Sequence, residues 1–240
     1  MSEQEKVNSE IMDMVLSNCL KDDSYLLDIP EDERARILTE ASDFSQNLCR
    51  LVLSQMQPHF LFNVLNIIYY MCGKDPETAK NMVNDFSTYL RTNMNALVNL
   101  APITLEQEIA HVHLYLRFEQ MRFSDRFHME YDLKCLNFKL PALTLQPLVE
   151  NALRHGICPM STPGVIRVES GETPEDYFVA VIDNGVGFDI SNMENGGKNN
   201  LSLGVIRTRV EQISGGELIV HSVPGRGTRV EVRIPKEKTV

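Results

Sequence analysis

Glycine constrains this chain more than any other residue. Thirteen glycines occur in 240 residues, yet only Gly73 lies before residue 156, and the other 12 fall within residues 156–240. A glycine inside a helix costs about 1 kcal/mol relative to alanine, and turns with positive φ recruit it. A front nearly free of glycine and a back rich in it predict two architectures in one chain: helices first, then a turn-rich α/β unit.

Composition removes several alternatives. Hydrophobic residues make up 43% and charged residues 23%, as in an ordinary globular protein, so disorder is not the main state. Lys and Arg number 23 against 33 Asp and Glu, a formal net charge of -10. That balance argues against nucleic acid as a direct ligand, since phosphate backbones are met by clustered Lys and Arg. There is no run of 18 apolar residues for a transmembrane helix, and MSEQEKVNSE lacks the basic and apolar regions of a secretory signal. The five cysteines, Cys19, Cys49, Cys72, Cys135 and Cys158, are odd in number and show no metal-type spacing. They read as reduced thiols of a cytoplasmic protein.

Residues 1–30 read as one or two short helices. Pro30 followed by three acids reads as the start of a long helix reaching Cys72, bent at Pro58. On its wheel a polar strip of Gln55, His59, Asn63 and Asn66 runs between two apolar flanks, as in a helix packed within a bundle. Gly73 to Glu77 forms a turn into a second helix, 76–97. Thr104 with Gln107 reads as the capped start of a third, 104–122. Strands are expected at 127–133, 165–168 and 177–182, with a turn at Gly171 and Pro174 between the last two. A helix is expected at 143–155 and another at 201–213. A strand pair, 217–222 and 228–234, closes around Pro224-Gly225-Arg226-Gly227. The back half is thus helices on a largely antiparallel sheet.

Four segments carry polar groups suited to chemistry. In Gln57-Pro58-His59-Phe60-Leu61-Phe62-Asn63, an imidazole can serve as a nucleophile near neutral pH, or simply make a polar helix contact. In Leu145 to Gly156, Glu150, Asn151, Arg154 and His155 gather near one helix end. An Asn carbonyl and a carboxylate there can organise Mg²⁺ and phosphate oxygens, with Arg neutralising charge; a basic helix terminus stopped by glycine reads equally well. In Asp183-Asn184-Gly185-Val186-Gly187, a strand ends in a carboxylate able to accept from an exocyclic amine, with glycines that let a flat base approach; an Asn-Gly hairpin is the alternative. Pro224 to Thr228 reads as a hairpin turn; the functional reading adds a Thr228 hydroxyl contact beneath the same base. Neither a P-loop nor a Rossmann fingerprint is present.

Taken in order, these segments resemble the LytS/YesM-type sensor histidine kinases. That family's phosphoacceptor box, roughly NPHFLFN, appears at 57–63. Its linking YLxxxxxRFxDR appears as Tyr115-Leu116 and Arg122-Phe123-Ser124-Asp125-Arg126. Its N-box LQPLVENAxxHG spans 145–156, its DNGxG box 183–187, and its GxGT 225–228. The resemblance implies an α+β protein: a helical dimerisation and phosphoacceptor region followed by a GHKL (Bergerat) α/β sandwich that binds ATP. Expected boundaries are 1–44 for a short helical segment, 45–126 for dimerisation and phosphotransfer, and 127–240 for the ATP-binding domain.

The same resemblance implies ATP and Mg²⁺ as cofactors, with a homodimer and a response-regulator receiver domain as partners. His59 would take the γ-phosphoryl group, with Asn63 and Glu150 as further catalytic residues. Asn151 would coordinate Mg²⁺. Asp183 would bind adenine N6, Gly185 and Gly187 would line the base, and Thr228 would support Asp183. Arg154, His155, Lys198, Leu203 and Gly204 would complete the nucleotide site. The second glycine box, near GIGLxNVRERL in the family, departs here. Asn200 and Ser202 replace two glycines and Val205 replaces the usual Asn, while Gly196-Gly197-Lys198 just upstream can partly substitute. The departure keeps open a non-catalytic dimeric signalling module with a degenerate nucleotide site, and an ATPase without phosphohistidine. Residues 1–44 are too few for a typical sensor domain, which implies either a partner that senses or a longer parent protein.

Overall fold

Among the described residues three helices come first: α1 (Pro58–Lys74), α2 (Pro76–Val98) and α3 (Leu105–Arg122). The computed structural model describes residues 58–98, 101–123, 125–190 and 200–236. The expected helices before Pro58, and the bend at that proline, lie outside the described residues. The chain divides into two compact units, residues 1–66 and 67–240. No helix among the described residues is long and apolar enough to cross a membrane.

Local chemistry sets the helix starts. Before α2, the Thr78 N–H and Oγ1 donate to the Asp75 carboxylate at 3.1 and 2.7 Å, which lowers that acid's pKa. At α3 the expected capping box forms. The Gln107 N–H donates to Thr104 Oγ1 at 3.3 Å, and the Thr104 N–H donates to Gln107 Oε1 at 3.0 Å. Helix α2 lies on α3 through Phe86 edge-on to Phe118 and Tyr89 stacked on His111, with ring centroids 5.8 and 5.3 Å apart.

The back half is a five-stranded sheet in the order β2-β4-β5-β7-β6, with β2 Phe127–Leu133, β4 Gly164–Glu172, β5 Asp176–Asp183, β6 Glu217–Val223 and β7 Gly227–Pro235. Only the β2–β4 pair is parallel. Alternation sorts the two faces. Ile166, Val168, Val179, Val181, Val230 and Val232 point inward and are buried. The outer face carries an ion-pair ladder: Arg167 to Glu130, Arg229 to Glu169 and Glu231, and Arg233 to Glu231. The inner face is covered by α4 (Leu145–Asn151), its continuation 152–157, and α5 (Asn200–Ser214). This is the α/β sandwich expected from the sequence.

Three local expectations are corrected. The helix expected over 143–155 begins at Leu145, because Leu143 takes φ 57°, outside the helical region. From Ala152 to Ile157 it widens into a π-helical turn, closed by the Cys158 N–H on Leu153 O. Gly171, expected in a turn, lies inside β4, where a Cβ would meet the Phe178 ring at 2.7 Å; the turn sits at residues 173–175. A two-residue pair, β1 (Ile103–Thr104) with β3 (Lys139–Leu140), was not expected, since strands so short have no periodicity to read.

A carboxylate from α3 starts α4. The amides of Leu143, Thr144 and Leu145 donate to Glu108 at 2.7, 3.0 and 2.7 Å, and Glu108 is 1% exposed. The Thr144 side chain makes no cap of its own. Burial pushes the Glu108 pKa up, while the three amides and Arg209 pull it down. Glu108→Ala strands three buried donors and is expected to lower unfolding free energy by about 2–4 kcal/mol, read from denaturant midpoints. A loss too small to resolve would show that water can replace this cap.

Candidate functional site

Between α4, its widened turn and the inner sheet face lies an open cleft of about 560 Å³. Asp183 sits at the end of β5 on the inner face, 6% exposed, and lines the cleft together with Asn151, His155, Gly156, Gly187, Leu203 and Thr228. Strand alternation and the N-box helix therefore bring together groups that lie far apart in sequence.

The DNGxG segment is held from several sides. The Gly185 N–H donates to Asp183 Oδ1 at 2.8 Å. The Asn184 side chain accepts from the Val165 N–H at 2.7 Å, and the Val186 N–H donates to Gly156 O at 3.0 Å. The hairpin alternative fails here, because β5 pairs with β4 and β7 and the residues after Asp183 lead toward α5 instead of a paired strand. Glycine is sterically required at two of these positions. A Cβ on Gly156 would lie 2.7 Å from Asp183 Oδ1, and one on Gly185 would lie 2.4 Å from the Gly156 backbone. Gly187 lines the cleft at φ 59°, a left-handed conformation.

Burial raises the Asp183 pKa to about 6, while the backbone amides of Gly185 and Thr228 favour its charged form. Thr228 pairs with Asp183 across β5 and β7, so its support comes through the backbone. Its hydroxyl meets Ser222 Oγ at 2.9 Å, and Ser222 Oγ also accepts from the Phe188 N–H at 2.9 Å. Ser222, which no motif marks, thus ties the end of the DNGxG loop to β7.

Not every expected residue reaches the cleft. Glu150 and Arg154 occupy a neighbouring helix face. Arg154 Nη2 donates to Glu119 Oε1 at 3.2 Å, and its Nε lies 3.2 Å from Glu150 Oε1. Burial raises the Glu150 pKa, Arg154 opposes that rise, and Glu119 adds to it. Gly185 lies buried against the Gly156 backbone, behind the lining. Gly204 is exposed on α5, with open space around it. Lys198 lies outside the described residues, as does most of the segment before α5. Arg126 of the RFxDR motif secures the exit of the N-box, donating to Cys158 O and Met160 O at 3.0 and 2.6 Å. Arg209 of the second glycine box donates to Ala142 O at 3.0 Å, anchoring α5 beside the start of α4.

His59 and Asn63 lie one turn apart on α1, in the other unit. His59 is exposed, and Asn63 Nδ2 stands 3.0 Å from His59 Nδ1. No group of three or more His, Cys, Asp or Glu side chains suited to a metal occurs among the described residues. Mg²⁺ held mainly by phosphate oxygens needs few protein donors, and the Asn151 amide oxygen in the cleft fits that requirement.

Comparison with known proteins agrees with this geometry. Residues 47–127 match the histidine kinase family, and residues 139–238 match the histidine kinase-, DNA gyrase B- and HSP90-like ATPase family. YwpD of Bacillus subtilis (strain 168) is 33% identical over 192 residues, covering 78% of this chain and 69% of that protein. The sensor histidine kinase YpdA of Escherichia coli (strain K12) is 33% identical over 215 residues, covering 87% of this chain and 37% of its own length. The sensor protein LytS of Streptococcus agalactiae serotype V is 32% identical over 192 residues, covering 76% and 33%. The chain therefore spans little more than a third of these two sensor proteins. With the phosphoacceptor box, the N-box and the buried DNGxG aspartate all in place, the chain belongs to the LytS/YesM-type histidine kinases.

Proposed function

We propose that this chain is the ATP-dependent kinase portion of a two-component system. The observation that carries the reading is the buried Asp183 carboxylate at the closed side of the cleft, rigidly held and facing ligand space. Asp183 accepts a hydrogen bond from adenine N6, and Gly187 keeps the backbone low beside the base, while Gly185 lets the loop pack against Gly156 behind it. Leu203 borders the base, and His155 and Lys198 serve the phosphate end. Asn151 would hold Mg²⁺ together with phosphate oxygens, and the ion would supply charge neutralisation at the phosphate end. The His59 Nε2 lone pair attacks the γ-phosphorus, the bond to the β–γ bridging oxygen breaks, and ADP leaves. Asn63 serves this step when its amide turns over from the Nδ2-to-Nδ1 contact, so that its oxygen accepts from Nδ1–H and leaves Nε2 free as the nucleophile. The phosphoryl group then passes to an aspartate on a receiver domain.

In this reading residues 45–126 form the dimerisation and phosphotransfer domain of a cytoplasmic homodimer, after a short segment 1–44, and residues 127–240 bind ATP. Incubation with γ-labelled ATP and Mg²⁺, then with a receiver domain, tests it. Base-stable, acid-labile label that moves to the receiver domain is expected. Tight ATP binding with no label under any condition would overturn it in favour of a binding-only signalling module.

The reading also fixes a pH dependence. Because the folded Asp183 pKa lies near 6 and its ordinary value is 3.8, the folded protein gains stability from this group at low pH and loses it as pH rises through about 6. Ligand binding to the carboxylate runs the other way. Adenosine, which has no phosphate to titrate, should bind about tenfold more weakly at pH 5 than at pH 7. A flat affinity profile across that range would separate Asp183 from the amine.

A further inference from the structure

The residues of the N-box divide between two helix faces. Asn151 and His155, four apart, look into the cleft. Glu150 and Arg154, also four apart, are not in the cleft lining; they pair with each other, and Arg154 reaches Glu119 of α3. There Arg154 lies between two carboxylates, 3.2 Å from each. One of them, Glu119, is 1% exposed, and its second oxygen is 4.0 Å from Arg122 with no directed hydrogen bond. The Arg154 guanidinium is thus already engaged, outside the cleft lining.

Such an arrangement is a poor device for stability. Burying charged groups costs several kcal/mol each, and packed apolar residues often serve as well or better. What a buried, directional pair supplies is orientation. The helix needs orientation here, because its hydrogen-bond ladder changes from α to π immediately after Asn151, and Arg154 lies inside the widened turn. Resting on the nucleotide site proposed above, we propose that Glu119 is a positioning residue which, through Arg154, clamps the N-box helix onto α3 and so keeps Asn151 and His155 turned into the cleft. Arg154 then belongs to the clamp and is not a phosphate ligand.

The test compares Glu119→Gln, Arg154→Met and the double variant, each titrated with adenosine and with Mg²⁺–ATP. A clamp predicts that both single variants weaken ATP binding by similar factors, about tenfold. Adenosine affinity, set by Asp183, should stay within about twofold. The double variant should be no worse than the weaker single one, because both substitutions break the same link. Glu119→Asp, which keeps the charge on a shorter arm, should fall between wild type and Glu119→Gln, and it serves as the probe if Glu119→Gln does not fold. Normal ATP affinity in Glu119→Gln or Glu119→Asp, beside weak ATP binding in Arg154→Met, would make Arg154 a direct phosphate ligand and overturn the clamp. Equal weakening of adenosine and ATP would reduce Glu119 to a general stabilising role and overturn it as well. A wild-type protein that binds neither ligand would contradict the nucleotide site itself, and the clamp with it.

Discussion

Asp183→Asn should abolish nucleotide binding, raising the ATP dissociation constant by at least about a hundredfold, with no loss of thermal stability. An ionised carboxylate only accepts hydrogen bonds, and this one must accept from two sides. The Gly185 N–H donates to one oxygen at 2.8 Å, and the cleft lies before the carboxylate. An asparagine has one acceptor and one NH₂. Whichever way it turns, the NH₂ faces either the Gly185 N–H or the amine of the base, donor against donor. At 6% exposure water cannot relieve the mismatch, so the full desolvation penalty falls on binding. The shapes are nearly identical, and the substitution removes a carboxylate whose ionised form burial already disfavours. The folded state should therefore be no less stable than wild type. Calorimetric titration with a thermal melt separates the two effects. ATP affinity within threefold of wild type would place the base elsewhere.

The glycine distribution and the hydrophobic periods made much of this fold legible. The capping box at Thr104 and Gln107 and the strand β2 follow from local rules alone, and the structure shows both. What periodicity could not show were contacts made across the fold. Glu108 reads as one more acid in the first turn of α3, yet it caps a different helix some 35 residues away. Leu143 carries no sign of its positive φ, so the start of α4 read two residues early. Arg154 shares a motif with Asn151 and so reads as a phosphate ligand, yet its guanidinium meets Glu119 and Glu150 and does not line the cleft. Glu119 was the missing clue: an acid three residues before Arg122, at a position on α3 that helical spacing places among apolar neighbours.

The central claim concerns His59, and here the expected effect is total. His59 is exposed on α1, with Asn63 one turn away to hold its ring. A phosphoramidate can form only on an imidazole nitrogen with a free lone pair, and glutamine offers an amide whose nitrogen is not nucleophilic. His59→Gln keeps the helix and a polar side chain at an exposed position, so folding and ATP binding should be unchanged. The most direct measurement is incorporation of label from γ-labelled ATP and Mg²⁺ by wild type and His59→Gln, followed by treatment with acid and with base. Wild type should acquire base-stable, acid-labile label, and His59→Gln should acquire none while binding ATP normally. Equal labelling of the two proteins, or label in wild type that survives acid, would contradict the account.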